Sequence, residues 1–410
     1  MLVSFNLVMA LAAVPAALIA RRVGPGRAAA VGLAVFAGAG LACGLADSLS
    51  TLIVARCIQA LGGAAAVTAS LELLPATVGS ERRAATVWAA AGATGAALGP
   101  ALGGILTELV SWQSIFLLQV PVALAAAVPI LAVAKHEAAT GIVSTELRRT
   151  GRPHLWANLA LAMVSAAIAA ALFLLVLLLI EGWRLSPIEA ALVVTAMPLA
   201  ALLGGRLAAF VPEARPRAAA GAILVSGGLA GLAFLPKATI ALTLPPQILV
   251  GLGLSLVLSA LTETALGGRA PQAIHGGWTI SARHAGVVVG LLALTPVFTH
   301  DIAVQQKQAI NAGTSVILDS PIRPTVKLGL AKKISEHLEL EDGKVPNLGH
   351  VFDPLPEDEA ERSEVVGLRE ELQEQLNAGA THAFSPSFGI AALIGLLALI
   401  PIGLARRIDL

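Results

Sequence analysis

Eleven stretches of about 20 residues, each all but free of charge, run along this 410-residue chain, and no other feature limits its fold so tightly. They fall at 2–20, 28–46, 51–70, 84–107, 114–134, 157–180, 187–210, 218–236, 241–261, 277–298 and 387–405. A helix needs about 20 apolar residues to cross a roughly 30 Å hydrocarbon core. Inside lipid every backbone N–H and C=O must find a partner within the segment, so stretches of this length are helices. The expected fold class is an all-α membrane protein of about 11 transmembrane helices. Composition agrees, with 56% hydrophobic and 13% charged residues, where soluble domains carry about a quarter charged.

Charge is unevenly placed. Residues 299–385 hold 8 Lys+Arg and 15 Asp+Glu, so the overall net charge of +1 conceals an acidic soluble segment and a basic membrane part. Cytoplasmic connectors carry an excess of Lys and Arg. Arg21, Arg22 and Arg27 fill the first connector, Arg82 and Arg83 the third, and Lys135, Arg148, Arg149 and Arg152 the fifth. Arg215 and Arg217 follow in the seventh, Arg269 in the ninth, and Arg406 and Arg407 after the last stretch. The alternate short connectors hold only Arg184 and Lys237. Odd connectors are therefore expected inside, with Met1 outside, Leu410 inside and residues 299–385 extracytoplasmic, in a plasma or bacterial inner membrane. The five tryptophans fall at stretch ends, where interfacial belts form. The first twenty residues lack a leading basic region, so they read as a spanning helix and not a signal peptide.

The soluble segment 299–385 contains two amphipathic helix patterns. One covers about 325–340, opened by Pro324, with Leu330, Ile334 and Leu338 on one face. The other covers about 357–378, with Val365, Leu368, Leu372 and Leu376 on one stripe and acids in its first turn. The segment is expected to be a small helical insert that leans on the membrane part, and a partner there is one possibility. Residues 136–156 read as a cytoplasmic linker between halves. A repeat supports two halves: Arg27-Ala28-Ala29-Ala30 and Arg217-Ala218-Ala219-Ala220 each open a glycine-rich stretch. Parallel repeats of this kind are common in transporters, although chance in an alanine-rich chain is the alternative.

The stretch 84–107 contains GATGAALGPALGG, with Gly95, Gly99, Gly103 and Gly104 at helical spacing and Pro100 among them. Small residues four apart let helices touch backbone to backbone, and tight packing alone accounts for such a run. The pattern also resembles the fifth-helix antiporter signature of the major facilitator superfamily, G-x-x-x-G-P-x-x-G-G, at Gly95, Gly99, Pro100, Gly103 and Gly104. The following WQSIFLLQVP is similar to a stretch of the drug:proton antiporter families, with Gln113 and Gln119 in place of Arg and Asn. LIVARCIQALGGAA resembles their fourth-helix motif, with Arg56, Gln59 and Gly62 in place, and EGWRLSPIEAALVVTAMPLA looks like a later helix pair.

This resemblance implies a two-half helical bundle. Residues 1–135 would form the first half, equivalent to the family's second to sixth helices, with 157–298 and 386–410 forming the second. It implies export of a small amphipathic or hydrophobic organic compound by proton antiport, with Arg56 and Gln59 proton-linked. It also aligns Arg22 and Gly24, near Arg21 and Arg27, with the cytoplasmic gate loop. There the chain departs from the pattern, with Ala17 for Gly and Arg21 for Asp. The family's first helix, which often carries a membrane carboxylate, is expected to be missing.

Arg56 lies well inside its stretch, and a charge there is a functional candidate by default. Snorkelling to the nearby surface is the competing reading. Thr68 is a further polar candidate on that stretch. Arg283 and His284 sit about two turns inside 277–298; the histidine either titrates near neutral pH or only packs. Glu72, Glu108 and Glu181 lie at stretch ends and read as interfacial. Cys43 and Cys57 read as small apolar residues, with no disulfide or metal spacing. No phosphate-binding loop and no hydrolytic constellation occur in the sequence. The expected partners are protons, lipid and a small-molecule substrate, without nucleic acid, metal, cofactor or enzymatic activity. The rival is a non-transporting receptor, scaffold or accessory protein whose helices anchor 299–385.

Overall fold

In the computed structural model, which describes residues 1–79, 81–140, 151–267, 269, 271–319, 352 and 359–405, the chain is all-helical. The helices are α1 (Leu2–Val23), α2 (Pro25–Gly44), α3 (Leu49–Val78), α4 (Glu81–Leu109), α5 (Ser114–Thr140) and α6 (Leu155–Leu177). They continue as α7 (Pro187–Leu207), α8 (Ala214–Ala233), α9 (Ile240–Leu266), α10 (Gln272–Asp319), α11 (Glu359–Leu397) and α12 (Leu399–Leu404). Each of the eleven apolar stretches lies on one of α1–α11, with α12 completing the last. Among the described residues, ten segments are long and apolar enough to cross a membrane, while α4 keeps only Leu98–Leu109 as an apolar stretch.

Local chemistry sets the joints. Gly24, at φ 98°, links α1 to α2 in a conformation that side chains resist, and Pro25 opens α2 with its φ already suited to a helix. Ser48 caps α3 by accepting from the Thr51 N–H. Ser186 and Glu189 form a capping box at the start of α7, and Pro187 between them opens the helix. The end of α6 widens into a π-helical turn at Leu178–Gly182, closed by Trp183 N–H donating to Leu178 O at 2.8 Å. Between α11 and α12 the helix breaks because Pro401 has no N–H to offer the Leu397 carbonyl.

The halves repeat. Helices α2 and α8 are each 20 residues long, and α2 packs on α3 as α8 packs on α9. Gly32 meets Gly62 at the first crossing, and Gly221 meets Gly253 at the second. The glycines are the eighth residues of α2 and α8 and the fourteenth of α3 and α9. A Cβ at any of them would sit on the opposing backbone. This frame corrects the register expected from the Arg-Ala-Ala-Ala runs: Arg27 is the third residue of α2, whereas Arg217 is the fourth of α8. One residue is about 100° of helix rotation. Arg27 accordingly points outward and is exposed, while Arg217 is buried.

The halves meet where α1 packs on α10, α4 on α7 and α3 on α10. The main core lies in the second half, around Leu161, Leu174, Leu175, Leu229, Phe384 and Phe388. Glycine again sets the spacing there, with Gly286 and Gly290 of α10 lying on the Ala162 and Ala166 backbone of α6.

Long helices carry the chain past the apolar stretches on both sides of the acidic segment. Helix α10 is 48 residues and passes the expected boundary at 298 without a break. Helix α11 is 39 residues and carries the expected amphipathic stretch directly into the last apolar one. Val365, Leu368 and Leu372 are buried, as their stripe requires. Trp183 Nε1 donates to Thr381 Oγ1 at 2.9 Å, fastening this extension to the end of α6. The amphipathic pattern at 325–340 and most of the linker pattern at 136–156 lie outside the described residues.

Candidate functional site

Arg56, on α3, is partly buried between α1 and α5. Its guanidinium carbon lies 4.0 Å from the centre of the Phe5 ring and 5.4 Å from that of Phe116. Its Nη1 donates to Gln59 Oε1 at 2.6 Å, one turn on. Gln59 is fully buried, and its Nε2 donates to Gln119 Oε1 at 3.1 Å. Gln119 Nε2 then donates to the Ile115 carbonyl on its own helix. The chain Arg56–Gln59–Gln119 thus joins α3 to α5 through charge-assisted and amide hydrogen bonds. Arg56 Nε is buried with no acceptor.

The same place in the second half is neutral. Gln247 is the eighth residue of α9, as Arg56 is of α3. It is fully buried, and its Nε2 donates to Thr243 Oγ1 at 3.1 Å. The charge in the second half comes instead from α10. There His284 Nδ1 lies 2.6 Å from Asn6 Oδ1 of α1. With a carbonyl oxygen as acceptor, Nδ1 carries the hydrogen. Arg283, next to it, is partly buried. Thr68 is fully buried and donates to the Ala64 carbonyl of its own turn, so its hydroxyl is already used.

The glycine signature divides. Gly104 packs against Ala191 and the Pro187 carbonyl of α7, where a Cβ would not fit. Gly95, Gly99 and Gly103 face open space. Helix α4 continues through Pro100. Beside Gly104, Glu108 Oε2 accepts from the Ile188 N–H at 2.9 Å and caps α7 from the other half. At the opposite end of the bundle, Arg22 and Arg27 are exposed, Arg21 is half-buried and Gly24 is buried. Ala17, which stands where the gate pattern has Gly, is fully buried beside Ala273 and Ile274 of α10. Arg217 reaches the Val211 and Pro212 carbonyls and pairs with Glu263 of α9. In the connector that follows, burial lowers the Arg269 guanidinium below its ordinary value. Among the described residues, no group of His, Cys, Asp or Glu is arranged to hold a metal.

Sequence reasoning identified Arg56, Gln59 and His284 but missed Phe5 and Asn6, their partners on α1. Neither residue carries a motif. Gln119 was visible only as a departure from a pattern, although a glutamine inside an apolar stretch is itself a signal.

The site sits in a recognisable lineage. Over 195 residues the chain is 36% identical to the methylenomycin A resistance protein of Streptomyces coelicolor, covering 46% of this chain and 38% of that one. It is 40% identical over 123 residues to the methyl viologen resistance protein SmvA of Salmonella typhimurium, covering 29% and 25% of the two chains. The drug efflux pump JefA of Mycobacterium tuberculosis is 38% identical over 120 residues, covering 28% and 24%. The matched stretches thus span well under half the length of these relatives. The crystal structure of the E. coli fucose:proton symporter FucP shares the fold at TM-score 0.53 and 15% identity, over 99% of this chain and 90% of that one. The profile of the Major Facilitator Superfamily matches residues 1–295, and the chain belongs to that family of transporters, which are not enzymes.

Proposed function

We propose that the protein exports a small amphipathic or hydrophobic organic compound by proton antiport across a plasma membrane. In this reading the end of the bundle carrying Arg21 faces the cytoplasm, and the end carrying Met1 and residues 299–385 faces outward. The observation that carries it is Arg56, held between Phe5 and Phe116 and bonded to Gln59 at the junction of three first-half helices. A guanidinium stays charged at any accessible pH, and an opposite charge within about 4–6 Å lowers a carboxylate pKa by roughly 1–3 units. Arg56 so placed would move a proton on or off an acid brought within that reach, such as one on the substrate, as access alternates. The partial similarity to proteins named for resistance and efflux supports the outward direction. The test is efflux of Nile red, a neutral fluorescent amphipath, from proteoliposomes under an imposed pH gradient. Efflux is expected with the gradient and lost in Arg56→Gln. Efflux indifferent to the gradient, or intact in the variant, overturns the reading.

A second reading has its own support. Helices α10 and α11 run far past a membrane's thickness, as a mount for a displayed segment would. The helices would then anchor 299–385 as a receptor, scaffold or accessory protein. A chain lacking 305–380 separates the two: it keeps Nile red export if the bundle transports, and loses only partner binding if the bundle anchors.

A further inference from the structure

We propose that His284 takes the proton that parts the two halves on the Met1 side, and that its hydrogen bond to Asn6 is the latch this proton releases. This rests on the transport reading above and names where its proton binds.

Helices α1 and α10 belong to different halves and pack along one antiparallel seam. At the end carrying Arg21, Ala17 lies with Ala273 and Ile274. Midway, a Cβ on Gly277 would sit 3.0 Å from the Ala13 carbonyl oxygen. Farther along, Asn6 Oδ1 and His284 Nδ1 are 2.6 Å apart. The steps on α1 and on α10 are equal, so the seam keeps a single register from Ala17 to Asn6. Asn6 lies fifteen residues before Arg21 on α1. At 1.5 Å per residue that is about 22 Å of a roughly 30 Å core, which puts the contact in the outer third. The inner pairs are apolar and close, whereas Asn6 and His284 are polar and only partly buried. A proton from the Met1 side reaches the ring without the inner pairs parting.

The ring chemistry makes this contact sensitive to that proton. Nδ1 donates to Asn6, which leaves the Nε2 lone pair to accept. A proton from the outer water adds at Nε2 and makes an imidazolium, and no other bond changes. Two costs appear at once. Arg283 is the next residue, and its charge acts on the ring, so a second cation forms beside the first. Among the described residues, α1, α3, α6, α9 and α11, which pack on α10, bring no further charge to bear on His284. The new Nε2–H also needs an acceptor, and a charge without one is costly away from water. Water entering between α1 and α10 relieves both costs. The protonated ring therefore favours halves that are apart on the Met1 side, and the neutral ring favours the closed contact. Closing drives the proton from Nε2 to water on the inner side. One proton moves inward for each opening outward, which is the exchange that antiport requires.

The test is a pulsed-EPR distance on the purified 410-residue chain in detergent, with Cys43 and Cys57 replaced by alanine. Spin labels go on cysteines placed at Leu2 and Val289, exposed residues on the outer side of the contact. Measurements at about pH 5.5 and about pH 8 bracket the ordinary histidine range. The distance is expected to lengthen in acid. His284→Gln keeps an amide for Asn6 and cannot titrate, so its distance is expected to stay short at both. Asn6→Asp places an anion against the ring and is expected to move the midpoint upward by about one pH unit or more. A histidine that only packs gives no such upward shift. Should His284→Gln lose its native elution volume, Asn6→Asp carries the test through the direction of its shift. A distance indifferent to pH in the parent chain, a parent-like response in His284→Gln, or an unmoved or lowered midpoint in Asn6→Asp overturns the proposal. In vesicles, gradient-driven Nile red efflux is expected to fall tenfold or more in His284→Gln. Acid opening that His284→Gln loses, with parental efflux indifferent to the gradient, sinks antiport alone. Gradient-driven efflux that is unchanged in His284→Gln sinks this inference alone.

Discussion

Phe5 lies 4.0 Å from the guanidinium carbon of Arg56, so the first helix of the chain supplies a π face to a cation on the third. A stacked, partly desolvated pair of this kind is worth about 0.5–2 kcal/mol. Phe5→Leu keeps the apolar bulk and removes the quadrupole. It is expected to lower stability by about 1 kcal/mol and to slow Nile red efflux without abolishing it, whereas Arg56→Gln abolishes efflux. Thermal unfolding in detergent and vesicle efflux check the two parts. A Phe5→Leu protein as stable and active as the parent would show that the stacking has no consequence.

Gly104 and Gly99 belong to one sequence signature yet meet different surroundings. Gly104 touches α7, while a Cβ at Gly99 meets nothing within 4 Å. Gly104→Val should separate α4 from α7 at a cost of roughly 1–3 kcal/mol or more and reduce transport. Gly99→Ala should be neutral or stabilise the chain by up to about 1 kcal/mol, because alanine favours the helix. Equal losses in both variants would mean that Gly99 also meets a close partner during transport.

Thr381→Val strands the buried indole N–H of Trp183 and is expected to cost about 1–3 kcal/mol. Trp183→Phe combined with Thr381→Val removes both polar partners, so the double change should cost less than the two single changes added together. Hydrogen exchange over 359–385 should rise in Thr381→Val. Additive losses would show that the pair is not coupled.

Arg217 and Glu263 form an unequal pair. The arginine side chain is 9% exposed and the glutamate 61%. Glu263→Gln is expected to change stability by less than about 1 kcal/mol, as exposed partners do. Arg217→Ala also frees the Val211 and Pro212 carbonyls and should cost clearly more. Unfolding curves of the two variants check the order.

Topology is testable at one position. With Cys43 and Cys57 replaced by alanine, a single cysteine at Glu359 should react with a membrane-impermeant maleimide in intact cells. Labelling only after lysis would reverse the orientation expected from the connector charges.

The apolar stretches and the helices they form were legible in the sequence because membrane crossing imposes length and low charge on each segment separately. The caps at Ser48 and Ser186 came only with the structure, although each is settled within four residues. Arg56 stood out as a charge where charge is costly. What lay beyond the sequence was pairing between segments. Residue spacing along α4 makes Gly95, Gly99, Gly103 and Gly104 alike, and only the approach of α7 sets Gly104 apart. The repeat was visible in letters but one residue out of register, because glycine contacts between backbones, and not the arginines before them, fix how α2 crosses α3 and α8 crosses α9. Phe5 beneath Arg56 and Asn6 beside His284 are likewise contacts between helices far apart in sequence. Such contacts depend on helix rotation and depth, which tertiary packing decides and one-dimensional hydropathy does not encode.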